Sequence, residues 1–180
     1  MPIKTIGCVL FLVITSVSAD MQKNYIVQTA IKKHAVNKDD THYRYDFSSL
    51  FCNIIGLKTV IDILHERYKD QKINGYIALT ENGFSIAAIL GYMQGIPVYY
   101  ADKIDDLAEN GYYVMISDII NSGKKIQKKI EEVQQQNCHV VEVASLTESP
   151  QLNGRCHINA QIFSVFIERF QKTTTTRLSR

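Results

Sequence analysis

The chain has 180 residues, of which 46% are hydrophobic, and its formal net charge is +2. That length predicts one domain with a core of its own, and the nearly balanced charge gives no indication of a nucleic-acid partner. Its four cysteines are too widely spaced to form the framework of a small disulfide scaffold.

Residues 1–19 have the pattern of a cleaved secretory signal peptide. A short basic start ending at Lys4 precedes an uncharged, mostly apolar run, Ile6–Val17, and Ser18 and Ala19 complete a small-residue cleavage site. The apolar run is shorter than the roughly 20 residues that a membrane span needs. We therefore expect no membrane span after cleavage, and a secreted or lumenal protein. A buried N-terminal strand and an uncleaved anchor are the alternatives, and a leader without function would leave the protein cytoplasmic.

Downstream of the leader we expect one domain over residues 20–170 and a flexible tail over residues 171–180, where four successive threonines interrupt any apolar pattern. Cleavage would remove Cys8 and leave an odd number of cysteines. At least one thiol would then be free or would pair between chains. The three that remain are Cys52, Cys138 and Cys156.

The first part of this domain predicts two helices. Residues Gln22–His34 predict a helix with Tyr25, Ile26 and Ile31 facing inward, and a polar loop follows. Residues Gly56–Tyr68 predict the clearest helix, because their apolar side chains recur at helical spacing and form one stripe. That stripe consists of Leu57, Val60, Ile61, Leu64 and Tyr68.

Short strands and helices then alternate. Gly75–Leu79 predicts a buried strand, and a turn over Thr80–Gly83 leads into a helix over Phe84–Gln94. Val98–Tyr100 predicts the next strand, and Asn110–Gly111 is a turn signal.

The same alternation continues to the end of the domain. Tyr112–Ile116 predicts a strand, a polar loop over Ser117–Lys125 opens a helix, and His139–Leu146 predicts a further strand. The helix has Ile126, Ile130 and Val133 at helical spacing. Strands that are apolar throughout favour a parallel sheet covered on both faces. We therefore predict a single α/β domain with a mainly parallel sheet flanked by helices.

A candidate site lies in the loop after the strand Tyr112–Ile116. Ligands of open parallel sheets bind beyond the carboxyl ends of the strands, and here Asp118 precedes a turn with Ser122 and Gly123 that opens a helix. Backbone N–H groups at a helix start, a hydroxyl group and a close-approaching glycine suit a phosphate. The alternative is an ordinary strand–turn–helix corner with a capping serine.

This loop resembles the ribose-phosphate motif of type I phosphoribosyltransferases. In that motif a hydrophobic strand leads into two acids, two hydrophobic residues and a Thr-Thr-Gly-Gly-Thr type turn. Other segments resemble adenine phosphoribosyltransferases, in the same order and at nearly the same spacing, so the chain is identified as a divergent member of that family. They are Tyr45–Leu50, similar to Arg-Asp-Ile-Thr-Pro-Leu; Ile77–Phe84, similar to a pyrophosphate loop that ends Arg-Gly-Phe; Val141–Glu148 with Leu152–Arg155, similar to the late strand and its Leu-x-Gly-Arg; and Phe163–Val165, similar to the closing strand.

The resemblance implies a homodimer that joins adenine to phosphoribosyl pyrophosphate, giving AMP and pyrophosphate, with Mg²⁺ on the pyrophosphate and no metal ligand among the protein residues. It implies that Asp118 is the catalytic acid, because this residue corresponds to the acid that holds the ribose hydroxyl groups. The implied 5′-phosphate site is Asn121, Ser122, Gly123, Lys124 and Lys125. The implied pyrophosphate site is Thr80, Glu81, Asn82, Gly83 and Lys103.

Several positions depart from the family pattern. Ser117 stands in place of the first acid, Asn82 in place of the arginine of the pyrophosphate loop, and Glu81 adds a negative charge beside it. Lys124 and Lys125 stand where the family has Gly and Thr. The family's long mobile loop, which closes over the site and supplies a carboxylate, corresponds here only to residues 103–111.

These departures leave three functions open. The favoured hypothesis is a protein of the adenine phosphoribosyltransferase type that is catalytically impaired and retains nucleotide or phosphate binding. An active secreted or lumenal enzyme is the second. A protein-interaction module on the same fold is the third.

Overall fold

A computed structural model describes residues 21–35, 43–149 and 152–167. The predicted signal peptide and the predicted tail both lie outside these residues. Within the described ranges, every helix is too short or too polar to cross a membrane. The three cysteines that these ranges include are all free, with Cys138 buried and Cys52 and Cys156 exposed.

The centre of the domain is a five-stranded sheet in which all neighbouring strands are parallel, in the order β4-β3-β5-β6-β7. A separate antiparallel hairpin joins β1 to β2. The prediction of a mainly parallel α/β sheet is therefore confirmed. The strands are β1 (Lys32–Ala35), β2 (Tyr43–Asp46), β3 (Gly75–Ala78), β4 (Val98–Tyr100), β5 (Tyr112–Ile120), β6 (His139–Glu148) and β7 (Gln161–Ser164).

The helices pack on the sheet and on one another through their apolar side chains. The α3 stripe is confirmed, with Val60, Ile61, Leu64 and Tyr68 buried, and the predicted apolar residues of α5 are buried as well. The helices are α1 (residues 21–30), α2 (Ser48–Phe51), α3 (Ile54–Tyr68), α4 (Glu81–Gln94) and α5 (Lys124–Gln134), and a 3₁₀ helix covers Gly154–His157.

Both faces of the sheet are packed, as the continuous apolar strands predict. Alternate residues of β5 belong to different clusters: Val114 and Ile116 pack with α1, α3 and α4, whereas Tyr113 and Met115 pack with α5. The carboxyl ends of the strands therefore lie between α4 on one face and α5 on the other. That edge is where a ligand of a parallel sheet binds.

Several predicted boundaries were wrong, three of them by about three or four residues. The first helix ends at residue 30, since the next residues form β1, whose backbone groups pair with β2, and Tyr25 is 67% exposed instead of buried. Residues Glu81–Gly83 are the first turn of α4, because the Thr80 side chain caps that helix. Strand β5 continues to Ile120, where it still pairs with Glu148 of β6.

Candidate functional site

A cavity of about 800 Å³ opens at the carboxyl edge of the sheet, between the ends of β3, β4 and β5 and the first turns of α5. Its size is within the range of small-ligand sites in proteins. Aliphatic side chains and polar groups both contribute to the wall. The lining residues are Leu79, Thr80, Ala101, Asp102, Ser117, Asp118, Ile119, Asn121, Ser122, Lys125, Ile126, Lys128 and Lys129.

Asp118 is a nearly buried carboxylate on the wall of this cavity, with 9% of its surface exposed. Its Oδ1 accepts a hydrogen bond from the Ile119 N–H at 2.8 Å. Its Oδ2 accepts one from the Asn82 side-chain amide at 2.9 Å. The carboxylate is therefore fixed from both sides by neutral donors, and the remaining lone pairs of its oxygens are available to a ligand.

Asn82 reaches Asp118 because α4 begins close against β5. The Thr80 hydroxyl accepts a hydrogen bond from the Gly83 N–H at 3.1 Å and so caps the helix. A Cβ atom on Gly83 would lie 2.5 Å from the Ile116 carbonyl oxygen, so only glycine permits this approach. The contact between Asn82 and Asp118 follows from the capping threonine and the glycine together.

The turn between β5 and α5 is held by an equally close backbone contact. Gly123 precedes α5 with φ of 72°, a conformation that favours glycine, and no side chain caps the helix there. A Cβ atom on Gly123 would lie 2.2 Å from the Gly154 carbonyl oxygen, and one on Gly154 would lie 2.0 Å from the Asn121 carbonyl oxygen. These contacts fix the turn. Since no side chain caps α5, the N–H groups of its first turn are free of a side-chain partner among the described residues, as a phosphate cradle requires.

The cavity brings together only part of the predicted site. Thr80, Asp118, Asn121, Ser122 and Lys125 line it. The other predicted residues lie beside the cavity or away from it: Glu81, Asn82, Gly83, Lys103, Gly123 and Lys124 are absent from its wall. Asn82 and Gly123 act on the site indirectly, through Asp118 and through the turn. The assignment of ligand-binding roles to these residues stays a prediction.

Sequence reasoning missed an ion pair on the cavity wall. Lys129 Nζ lies 2.8 Å from Asp102 Oδ1 and 2.9 Å from Glu132 Oε2. Hydrogen bonds to these two carboxylates raise the pKa of Lys129, and the bond to Lys129 lowers the pKa of Asp102. The recurrence of Lys125, Lys128 and Lys129 at helical spacing was the available signal. Nothing in the sequence near Asp102 indicates its partner.

The connection from β4 to β5 packs against the domain instead of extending over the cavity. Its Ala101 and Ile104 are 6% exposed and belong to the α5 side of the core. The Ala108 N–H donates to the Tyr113 hydroxyl at 2.7 Å, and the Gly111 N–H donates to the Ala108 carbonyl at 2.9 Å. The connection is as short as the sequence predicts, and in this packed conformation it does not close over the cavity.

The residues around the cavity fit a protein-held Mg²⁺ poorly. Among the described residues, no group of three acidic, histidine or cysteine side chains is placed to hold a metal ion. Mg²⁺ is commonly held by one or two carboxylates together with the phosphates of a substrate. Here Asp118 is the one buried carboxylate among the described residues of the cavity wall, and Ser117 stands in place of the first acid of the family motif.

The similar proteins found by sequence and by structure are adenine phosphoribosyltransferases. No protein-family model matches the chain. The adenine phosphoribosyltransferase of Nitrosomonas eutropha is 25% identical over 141 residues, which are 64% of this chain and 81% of that protein.

Solved structures of the same enzyme share the fold. The Saccharomyces cerevisiae enzyme, complexed with an imino-altritol bisphosphate and adenine, has a TM-score of 0.70 at 20% identity and covers 81% of this chain and 99% of its own. The Trypanosoma brucei enzyme, in complex with AMP, pyrophosphate and ribose-5-phosphate, has a TM-score of 0.70 at 15% identity over 81% of this chain and 79% of its own. The collinear segments, the parallel sheet and these similarities agree: the chain is an adenine phosphoribosyltransferase-like protein with the type I phosphoribosyltransferase fold.

Proposed function

We propose that this protein binds the phosphorylated ribose of an adenine nucleotide in the cavity and is strongly impaired as an adenine phosphoribosyltransferase. The observation that carries the proposal is the Asp118 carboxylate. It lies on the cavity wall, where ribose hydroxyl groups would donate to it, yet it is held by the amide of Asn82 where the family pattern has an arginine.

Binding is supported by the turn between β5 and α5. Asn121, Ser122 and Lys125 line the cavity beside the uncapped start of α5. Backbone N–H groups, an amide, a hydroxyl and an ammonium group are all phosphate donors. The Trypanosoma brucei relative holds AMP and ribose-5-phosphate, and by resemblance we place the same kind of ligand here.

Impairment is supported by the lack of a cation in the first turn of α4. Departure of pyrophosphate needs preorganised cations, and the first turn of α4 offers Glu81 and Asn82 instead. Ser117 provides a hydroxyl group where a second carboxylate would stabilise the oxocarbenium-like ribose. The β4–β5 connection packs against the domain and does not extend over the cavity, although site closure is a recurrent requirement for reactive intermediates.

Two measurements on the full chain test the two halves of the proposal. Calorimetry should detect AMP binding, and Asp118→Ala should weaken it at least about tenfold, because a charge-assisted hydrogen bond contributes about 1.5–3 kcal/mol. Glu109→Ala, at an exposed position of the β4–β5 connection, is the matched control and should leave the affinity unchanged.

Turnover is measured with radiolabelled adenine, phosphoribosyl pyrophosphate and Mg²⁺, beside the Nitrosomonas eutropha enzyme. We expect a rate at least about a thousandfold lower, since loss of one preorganised charge-stabilising group commonly costs about 10²–10³. Turnover within tenfold of the reference would identify an active enzyme and overturn the impairment. Absence of AMP binding would overturn the nucleotide site and favour the protein-interaction role.

A further inference from the structure

The first turns of α5 present a row of lysines to the cavity. Lys125, Lys128 and Lys129 lie three and four residues apart, on one face of the helix, and all three line the cavity. The aspartates on the wall are Asp102 and Asp118. The cationic side of the cavity is therefore α5, one helical turn beyond the residues that would hold a 5′-phosphate.

The opposite wall lacks this charge. The corner between β3 and α4, where the family resemblance would place pyrophosphate, contributes Leu79 and Thr80 to the cavity. Glu81 follows on the exposed surface, and Asn82 donates to Asp118. An anionic group that extends from the first phosphate gains more from the α5 side than from the α4 side.

Lys129 is the lysine of this row that the surrounding residues hold in place. Its side chain is 25% exposed, and its ammonium group bonds to Asp102, whose side chain is 90% exposed. Such a surface carboxylate holds its partner weakly, because solvent and salt screen the pair. A phosphoryl group brings more negative charge and three acceptor oxygens, so it can replace Asp102 as the partner of Lys129. The ammonium group keeps its contact with Glu132.

We propose that Lys128 and Lys129 form a second anion subsite, which takes the terminal phosphoryl group of a nucleoside 5′-diphosphate. The proposal rests on the proposed nucleotide site, because the first phosphoryl group of the ligand must occupy the turn at Asn121–Lys125. One helical turn separates the two positions, a rise of about 5.4 Å along the axis. The site then prefers a 5′-diphosphate to a 5′-monophosphate.

The test is calorimetry of the full chain with AMP and with ADP, both without Mg²⁺. We expect ADP to bind about tenfold more tightly than AMP, as charge-assisted hydrogen bonds to one more phosphoryl group allow. The Lys128→Gln/Lys129→Gln variant should bring the ratio of the two affinities to about one. Asp102→Asn should raise the affinity for ADP severalfold, because it removes the competing carboxylate from Lys129.

Lys58→Gln is the matched control, since Lys58 lies on α3, its side chain is 71% exposed, and it pairs with Asp62 at 2.5 Å. This variant should leave both affinities unchanged. Equal affinities for AMP and ADP in the unmodified chain would overturn the second subsite while the nucleotide site stands. Equal losses of affinity for both ligands in the double variant would overturn the second subsite too. The lysines would then attract any anion through their charge without contacting the terminal phosphoryl group. Failure of both ligands to bind would overturn the subsite and the nucleotide site together.

Discussion

At the scale of single residues, the site is altered most by the change at position 82. An arginine would bring a positive charge and a rigid set of donors to the start of α4. Asn82 instead gives one neutral hydrogen bond of 2.9 Å to Asp118. The amide orients the carboxylate as a binding group but adds no charge for a leaving pyrophosphate. In the proposed function, Asn82 thus supports binding and not catalysis.

A second residue-scale feature is the contact between Gly123 and Gly154, and it yields a prediction. Gly154→Ala should lower the free energy of unfolding by about 1–3 kcal/mol, as overpacking does. The added methyl group would lie 2.0 Å from the Asn121 carbonyl oxygen and 2.7 Å from Ile120 Cγ2. Because Asn121 lies in the turn proposed to bind phosphate, AMP affinity should also fall about tenfold. Urea unfolding and calorimetry measure the two effects.

Gly95→Ala provides the control for that substitution. Gly95 has φ of 67°, and a Cβ atom there would have no neighbour within 4 Å. This variant should cost about 1–2 kcal/mol of backbone strain while AMP affinity stays the same. If Gly154→Ala kept full AMP affinity, the turn would not depend on this glycine contact.

At the scale of elements, α3 is joined to β6 by an ion pair whose carboxylate, Glu142, is buried and whose cation, Arg67, is partly exposed. Arg67 donates from Nε and Nη2 to the two oxygens of Glu142, both at 2.6 Å, and the Tyr68 hydroxyl donates to Glu142 Oε2 at 2.6 Å. The guanidinium carbon also lies 4.1 Å from the centroid of the Phe163 ring on β7. The end of α3 is thereby tied to two strands.

Arg67→Ala should therefore destabilise the domain by about 3 kcal/mol, because it leaves a carboxylate that is 4% exposed without its cation. The control on the same helix is Lys69→Ala, whose partner Glu66 is 64% exposed, and this change should cost less than about 1 kcal/mol. Urea unfolding followed by circular dichroism compares the two. Similar small losses in both variants would mean that water stabilises Glu142 equally well.

Elements with strong periodicity could be predicted from the sequence, and boundaries set by tertiary pairing could not. The α3 stripe and the apolar residues of α5 are local patterns, and the structure confirms both. The extension of β5 over Asp118 and Ile120 depends on pairing with β6, which lies far along the chain. The polar residues of Ser117–Lys125 predicted a loop, because the local sequence does not reveal the pairing with β6.

At the scale of the whole molecule, the site needs contacts that no single segment specifies. The motif resemblance indicates the β5–α5 turn, so Asp118, Asn121 and Ser122 could be found from the sequence. The pair of Asp102 with Lys129 joins the β4–β5 connection to α5, and the bond of Asn82 to Asp118 joins α4 to β5. Both depend on how the helices pack on the sheet.

The two-sided packing also buries three tyrosines, and this predicts a loss of stability in alkali. Tyr68, Tyr76 and Tyr113 are each 0% exposed. Burial raises the pKa of all three, and the hydrogen bond to Glu142 raises that of Tyr68 further. The folded state thus favours the neutral phenols, so their contribution is complete below the unfolded pKa of about 10. It is lost as the pH rises above that value.

We therefore expect the free energy of unfolding to fall above about pH 10, with each such tyrosine contributing about 1.4 kcal/mol per pH unit. Tyr68→Phe should cost about 1.5–3 kcal/mol at pH 7 through the lost hydrogen bond to the Glu142 carboxylate, and its stability should then fall less steeply between pH 10 and pH 12. Tyr92→Phe, at a position that is 89% exposed, should leave the slope unchanged. Urea unfolding at a series of pH values measures these slopes. Equal slopes for Tyr68→Phe and the unmodified chain would mean that Tyr68 ionises no later in the folded state than in the unfolded one.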